Sequence, residues 1–388
     1  MTDTPNFAFG KNWEAFLTKF TQERLEIAQQ RLLHLLRLPS FKGMRFLDIG
    51  SGSGLHSLAA WSAGAAEVLS FDYDTHSVNA TRSLWEMAGK PNSWRIIQGS
   101  VLDDAFMNSL GLFDIVYSWG VLHHTGDTWR AIRNARLPLA DNGIFCIALY
   151  SATNYQNASL HGHPTPEEWL RIKQAYNNSS AYKKRLMEYA EVWRGYLRPH
   201  WRHPLRFARA CIALGRTMYG YKKYRGMDFM TDVRDWLGGW PMDFVREMEV
   251  ARFCKDELGL ETLDMITGEG NTEFIFRPLG SSNYWDALLE KRTKVTLPAS
   301  FRHVQGHMWA CSLPELSTSA DTQEFPRRSP LVLFEDGLPL DFSHAPHDAV
   351  RLLGEGRYSH WGDELFFSAS DNSDPNTNGR VYTAMLWS

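Results

Sequence analysis

The chain has 388 residues, 44% of them hydrophobic and 22% charged, with a formal charge of −3. That balance suits a globular protein of one large or two moderate domains and excludes a disordered chain, and no apolar run reaches the roughly 20 residues of a membrane-spanning helix. The four cysteines, Cys146, Cys211, Cys254 and Cys311, are far apart and read as reduced thiols, and Met1–Gly10 lacks a basic start followed by an apolar run, so a cytoplasmic location is expected.

Trp13–Leu38 reads as a long amphipathic helix, with Phe16, Phe20, Ile27, Leu32 and Leu35 at helical intervals and Pro39 as its stop. Packing is expected for Trp13, while Lys11 and Asn12 are placed to reach a site. Phe46, Leu47 and Ile49 fit a buried strand, and Gly50-Ser51-Gly52-Ser53-Gly54 follows at once. Three alternate glycines let the chain turn sharply and let a ligand approach the backbone. A helix starts near Leu55 with free amide groups at its N-terminus. A second strand, Val68–Phe71, ends at Asp72, where a carboxylate can accept both hydroxyls of a ribose. This layout describes a nucleotide-type cofactor across the end of a parallel sheet. The spacing is not the Gly-x-Gly-x-x-Gly of a dinucleotide site, and Asp48 precedes the turn inside the strand.

Further strands are predicted at Trp94–Gln98, Phe113–Ser118 and Gly143–Tyr150, with an antiparallel pair at Leu260–Thr267 and Thr272–Phe276. Helices are predicted at Leu55–Gly64, His76–Ala88 and Thr128–Leu137. In this order, the glycine turn, the acid after strand two, Gly99–Asp103 and Ser118–Thr125 resemble the motifs of class I S-adenosylmethionine-dependent methyltransferases, over about residues 40–150 and 250–278. The resemblance implies an α/β fold with a Rossmann-like seven-stranded sheet and S-adenosyl-L-methionine as cofactor. It implies that Asp48, Gly50, Ser51, Gly52, Ser53 and Gly54 serve the methionine end. Asp72 and Tyr73 would serve the ribose, Ser100 and Val101 the adenine, and Ser118 and Trp119 the rim of the site. Many relatives carry an acid directly after the glycine at position 99; here it is Ser100, so Ser100, the Val101 backbone and Asp103 all stay open as the adenine contact. Trp119 is placed to line the sulfonium, where an aromatic face favours positive charge, or to contribute backbone alone.

Residues 151–245 form a helical insertion after strand five. Its stretch 171–225 holds 14 Lys or Arg against two acids, Glu188 and Glu191, a formal excess of 12, interleaved with aromatics. Breaks are expected at Pro199, Pro204, Gly215 and Gly220. Such positive charge calls for an anion: the rest of this chain, a phosphate-bearing substrate, an anionic membrane surface or nucleic acid. Asp232–Pro241 reads as a shaped loop, because paired glycines stand between tryptophans. Insertions here often cap the acceptor side in class I methyltransferases, so Arg225, Asp228, Asp235, Trp236 and Trp240 are the substrate-binding candidates. For Trp236 and Trp240 the alternative is anchorage onto the core.

From about 281 the composition turns acidic, with 9 Lys or Arg against 14 Asp or Glu, and short β runs alternate with turns. Residues 281–388 are therefore expected to be a small β-rich domain beside a methyltransferase domain spanning 1–280. Gly356–Gly362 and Ser370–Tyr382 vaguely resemble modules attached to enzymes of bacterial surface-glycan assembly. The Asp371–Gly379 cluster reads as hydrogen-bonded turns rather than a Ca²⁺ or sugar site, and His344, His347 and His360 have no metal spacing, so no metal is expected.

Methyl transfer from a sulfonium is an in-line displacement that rewards positioning, and a hydroxyl acceptor gains from a base. His123 and His124, at the end of strand four, stand where that base belongs, with Asp127 near enough to orient one of them; the alternative is that one histidine caps a turn and the other packs on the sheet. The leading reading is O-methylation of a small-molecule, glycan or lipid- or phosphate-linked saccharide acceptor. N-methylation, nucleic-acid methylation through the 171–225 surface, and donor binding without catalysis are the alternatives.

Overall fold

The computed structural model describes residues 21–225, 228–268 and 270–386, and the side chains of 222–225 are outside that description. Lys11, Asn12, Trp13, Phe16 and Phe20 also lie outside it. The chain divides into two compact units, one running to Pro138 and resuming over Glu167–Asp243, the other comprising Leu139–Pro166 and the chain from Phe244 onward. The division does not fall near 281, where the composition changes. Among the described residues, no helix is long and apolar enough to cross a membrane.

The described part of the first unit opens with α1 (Gln22–Leu35), capped by the Thr21 side chain. Its buried stripe is Leu25, Ala28, Leu32 and Leu35. Ile27, expected on that stripe, is exposed because it lies on the opposite side of the helical wheel. Four strands and four helices then alternate: β1 (Arg45–Ile49), α2 (Leu55–Ser62), β2 (Glu67–Asp72), α3 (Thr75–Met87), β3 (Trp94–Gln98), α4 (Asp104–Ser109), β4 (Phe113–Trp119) and α5 (Thr128–Ala135). A helix in every connection makes these strands parallel, with Phe46 opposite Val68 and Ile115, and Val68 opposite Trp94. Phe46, Leu47, Ile49, Ile115 and Val116 fill the core between the helices.

The remaining helices of this unit are α7 (Pro166–Asn177), α8 (Ala181–Val192), α9 (Pro204–Arg225) and α10 (Phe229–Gly238), with short turns at Trp193–Leu197 and Arg198–His200. Pro199 and Pro204 do interrupt helix, but α9 runs straight through Gly215 and Gly220. An interior glycine costs only about 1 kcal/mol, which a 22-residue helix absorbs. Most of the expected loop at Asp232–Pro241 is the body of α10. Asp228 caps its start, Phe229 and Leu237 are buried, and Gly238 ends it.

The second unit carries β5 (Leu139–Tyr150), α6 (Ala152–Ser159), α11 (Glu247–Leu258), β6 (Leu260–Thr267) and β7 (Asn271–Pro278). β7 pairs antiparallel with both β5 and β6, and the complete sheet order is β3-β2-β1-β4-β5-β7-β6. Beyond α12 (Trp285–Leu289) come two four-stranded antiparallel sheets, β13-β14-β10-β9 and β12-β11-β15-β8. Their strands are β8 (Thr293–Val295), β9 (Arg302–Gln305), β10 (Met308–Ser312), β11 (Leu331–Glu335), β12 (Leu338–Pro339), β13 (Tyr358–Trp361), β14 (Glu364–Phe367) and β15 (Tyr382–Leu386), with α13 (His347–Leu352) between β12 and β13. They share one core, in which Val295, Cys311, Leu333, Leu365, Phe367 and Ala384 pack together with Met248 of α11.

Polar contacts bind these sheets to the rest of their unit. Asp341 takes Arg246 and the Met248 amide, and the fully buried Arg357 donates to Asn157 and Gln156 at 2.6 and 2.8 Å. The Asp371–Gly379 stretch is tied by its own turns: Asp371 accepts from the Ser373 amide, Asp374 from the Asn376 amide, and Arg380 pairs with Asp371 and Glu335. His344 pairs with Asp321 and His360 meets Ser329.

Candidate active site

The glycine turn is held from both sides. The Gly50 and Ser51 amides donate to the Phe71 carbonyl at 2.8 and 3.0 Å, which fixes the end of β1 to the end of β2. Gly50 has φ +73°, and a Cβ there would run into the Val121 side chain beyond β4. Only glycine satisfies both conditions, so the turn after β4 lies directly against the glycine turn. Gly54 also has positive φ, and a Cβ on it would sit 2.8 Å from the Thr81 Cα on α3. Thr81 ties the turn further, its hydroxyl meeting Ser51 Oγ at 2.9 Å and the Gly52 carbonyl at 3.3 Å. Ser53 Oγ accepts from the Leu55 amide at the start of α2.

Asp72 stands half-buried at the end of β2. One carboxylate oxygen accepts from the Gly52 amide at 3.0 Å and the other from the Asp74 amide at 2.9 Å. Burial, opposed by these amides, pushes its carboxyl up to about 6. Each oxygen keeps accepting capacity beyond its amide bond, which suits a diol. Tyr73 is exposed beside it. Asp48, in contrast, is buried and accepts from Ser57 Oγ. Ser57 in turn receives Ser70 Oγ at 2.7 Å, and Ser70 receives the Trp94 indole at 2.7 Å. Burial pushes Asp48 up to about 7. Its carboxylate is spent on a relay beneath the turn, so it shapes the cradle from below.

In the stretch after β3, Asp103 caps α4, one carboxylate oxygen accepting from the Phe106 amide at 3.0 Å. Ser100 Oγ accepts from the Leu102 amide, and the buried Val101 gives its carbonyl to Asn134 at 2.9 Å. Ser118, fully buried, donates to the Ile49 carbonyl at 3.1 Å and so joins β4 to β1. Trp119 is exposed, its ring 6.2 Å from that of His56 on α2. His56 meets the Tyr117 hydroxyl at 3.4 Å, and burial pushes its imidazole down to about 4.

The two histidines form a single 3₁₀ turn, Leu122–His124, with ring centroids 4.4 Å apart. They are not equivalent. His123 is buried, its carbonyl accepts from the Asp243 amide at 2.8 Å, and burial holds its imidazole well below the ordinary range. His124 is half-buried, and its Nδ1 lies 2.8 Å from the Pro241 carbonyl. A carbonyl only accepts, so Nδ1 carries the hydrogen and Nε2 the lone pair. Burial pushes His124 down to about 4, against the opposing effect of the Pro241 carbonyl. Asp127, expected to orient a histidine, instead caps α5 through the Arg130 amide; an Asp one residue before a helix is drawn to its free amides. The carbonyl that orients the ring comes from 117 residues downstream.

The segment after α10 is therefore clasped onto the histidine turn by His124–Pro241, His123–Asp243 and the Thr128 hydroxyl on Asp243. Behind it Lys173 is almost wholly buried. Its ammonium donates to the Trp236 carbonyl and lies 3.7 Å from the Trp236 ring centroid, and burial pushes it down to about 7. Trp236 also meets Trp169 edge to face at 4.8 Å, so it is an anchor of the insertion. Of the other substrate candidates, Asp228 is the α10 cap, Asp235 is pushed up to about 7 by burial, Trp240 adjoins the clasp, and the Arg225 side chain lies outside the described residues. Thr81, Ser57, Lys173, Pro241 and Asp243 were not legible from local pattern, because each acts on a partner distant in sequence.

A family model described as a methyltransferase domain matches residues 40–208. The ribosomal protein L11 methyltransferase of Prochlorococcus marinus is 40% identical over 77 residues, covering 20% of this chain and 25% of that protein. The O-methyltransferase rstn1 of Aspergillus nomiae is 25% identical over 130 residues, covering 31% of this chain and 57% of that one. Among solved structures, an O-methyltransferase family protein from Burkholderia thailandensis is 11% identical, covers 66% of this chain and 58% of its own, and has a TM-score of 0.39. The chain spans 25% to 31% of the length of the first curated relatives it matches. A parallel sheet ending in the Gly50–Gly54 turn, an acid closing β2 and a family match across that region agree on a methyltransferase domain with a Rossmann-like sheet in this part of the chain.

Proposed function

We propose that the protein is an O-methyltransferase acting on a small-molecule, glycan or lipid- or phosphate-linked saccharide acceptor. The observation that carries the reading is the fixed tautomer of His124, on a turn that packs against the glycine turn through Val121. The cradle fits the donor: Gly50 admits no side chain, and Asp72 is held by two amides while keeping lone pairs for a diol. Residues 50–54 would hold the methionine end, Asp72 the ribose, and Ser100 with the Val101 backbone the adenine. S-adenosylmethionine supplies an electrophilic methyl group there.

His124 Nε2 takes the proton that the acceptor hydroxyl loses as its oxygen becomes nucleophilic. A neutral ring is needed for this, and burial keeps it neutral at any pH above about 4. So low a basicity limits the base contribution to the lower part of the usual 10²–10⁴-fold range, and positioning supplies the rest. Trp240 and the clasp at Pro241–Asp243 wall the acceptor side. The test is single-turnover methylation of a panel of glycan and lipid-linked hydroxyl acceptors by wild type and His124→Gln. Transfer to an oxygen, slowed at least tenfold in the variant with donor-product affinity unchanged, supports the reading. Transfer to nitrogen, or an unslowed variant, overturns it.

A further inference from the structure

We propose that α8 and α9 form a docking surface for a bilayer rich in anionic lipid, a property independent of which acceptor is methylated. On α9, Leu205, Ile212 and Tyr219 recur every seven residues and are 79%, 58% and 93% exposed. At 100° per residue they fall within a 40° stripe. Arg209 and Arg216 flank that stripe, while Phe207 and Leu214, on the opposite side, are half-buried. Phe207 packs on Trp193, ring centroids 6.1 Å apart. The helix thus packs with one apolar edge and leaves another in water. α8 repeats the arrangement: Tyr182, Leu186 and Tyr189 lie on one exposed stripe that continues into Trp193, with Lys183 and Arg185 alongside.

Two features select the occupant. The first is charge. On α8 and α9, Lys183, Arg185, Arg206, Arg209 and Arg216 are exposed, and among the described residues Arg206, Arg209 and Arg216 make no ion pair. A second copy of the same surface would be repelled, and the partner must be anionic. The second is the mixture of apolar types. Nucleic acid would stack on the tyrosines and tryptophans but leave Leu186, Leu205 and Ile212 in water. A lipid headgroup region offers phosphate to the arginines, an interface to Trp193, Trp201 and Tyr219, and hydrocarbon to the aliphatic residues.

The experiment is flotation of the full chain with vesicles of phosphatidylcholine alone or with about one third phosphatidylglycerol. Expected is binding to the anionic vesicles only, weakened by salt. The triple variant Leu205→Ser, Ile212→Ser, Tyr219→Ser is expected to lose about tenfold or more in bound fraction, with S-adenosylhomocysteine binding by calorimetry unchanged as proof that the fold is intact. Equal binding to neutral vesicles, no vesicle binding, or undiminished flotation of the triple variant overturns the proposal. So does RNA binding tighter than vesicle binding and insensitive to the three serines, or a dimer of the wild type that the three serines dissociate.

Discussion

His124 Nδ1 donates to the Pro241 carbonyl at 2.8 Å, across 117 residues of chain. That bond ties the segment after α10 to the end of β4 and decides which ring nitrogen takes a proton. Replacing His124 with Gln should lower the first-order rate of methylation by about 10²-fold and leave S-adenosylhomocysteine affinity unchanged by calorimetry. Because burial pushes His124 down to about 4, the acid limb of the wild-type rate profile should fall near pH 4 and not near the ordinary imidazole value.

Asp72→Asn tests the donor site. The amide side chain keeps one oxygen for a backbone amide but loses the charge-assisted bonds that a carboxylate makes to a diol. Donor affinity should fall about 10–100-fold, the equivalent of one or two such bonds. Isothermal calorimetry with S-adenosylhomocysteine measures it, and circular dichroism should show the same secondary structure as wild type.

Gly50→Ala combines a positive φ with an overlap on Val121. The backbone penalty is about 1–2 kcal/mol and overpacking adds about 1–3 kcal/mol. The double variant with Val121→Ala should recover the overpacking part of this in urea unfolding and not the backbone part.

Asp48→Asn should change how stability depends on pH. A carboxyl pushed up to about 7 in the fold keeps a proton that the unfolded chain has already released near pH 4. The unfolded state binds fewer protons between those values, so wild-type stability declines as pH rises from about 4 to about 7. The variant loses this slope. Its melting temperature at pH 8 relative to pH 5 should exceed that of wild type. Lys173→Met gives the opposite signature: a lysine pushed down to about 7 makes wild-type stability rise with pH from about 7 to about 10, and the variant flattens that rise.

Arg357→Ala removes a fully buried guanidinium that holds Asn157, Gln156 and the Gly354 carbonyl. The expected cost is about 3–5 kcal/mol, as for a broken buried polar network. By the same reasoning a chain cut at residue 280 should be unstable, since it uncovers Met248 and strips Arg246 of Asp341; denaturant unfolding of both variants checks this.

The strands, the glycine turn and the acid after β2 were legible because each is a local pattern: an apolar run, a spacing of glycines, a carboxylate at a strand end. β3 and β6 have the predicted limits, Trp94–Gln98 and Leu260–Thr267. Errors came where local signals compete with packing. Gly215 and Gly220 inside α9 read as breaks, yet helix continued because its neighbours' propensity and tertiary contacts outweigh about 1 kcal/mol per glycine.

By itself, then, the sequence determined the class of sheet, the order of its motifs, the glycine turn and the concentration of positive charge in residues 171–225. Only the tertiary structure decided that Asp48 works beneath the turn, that Asp127 caps a helix, that Pro241 orients His124, and that α8 and α9 leave Tyr182, Leu186, Tyr189, Leu205, Ile212 and Tyr219 in water. The physical reason is range. Secondary structure and strand-end turns are written in neighbours a few residues apart, whereas a tautomer, a buried carboxylate or an uncovered face depends on which distant groups the fold brings within hydrogen-bond or van der Waals reach.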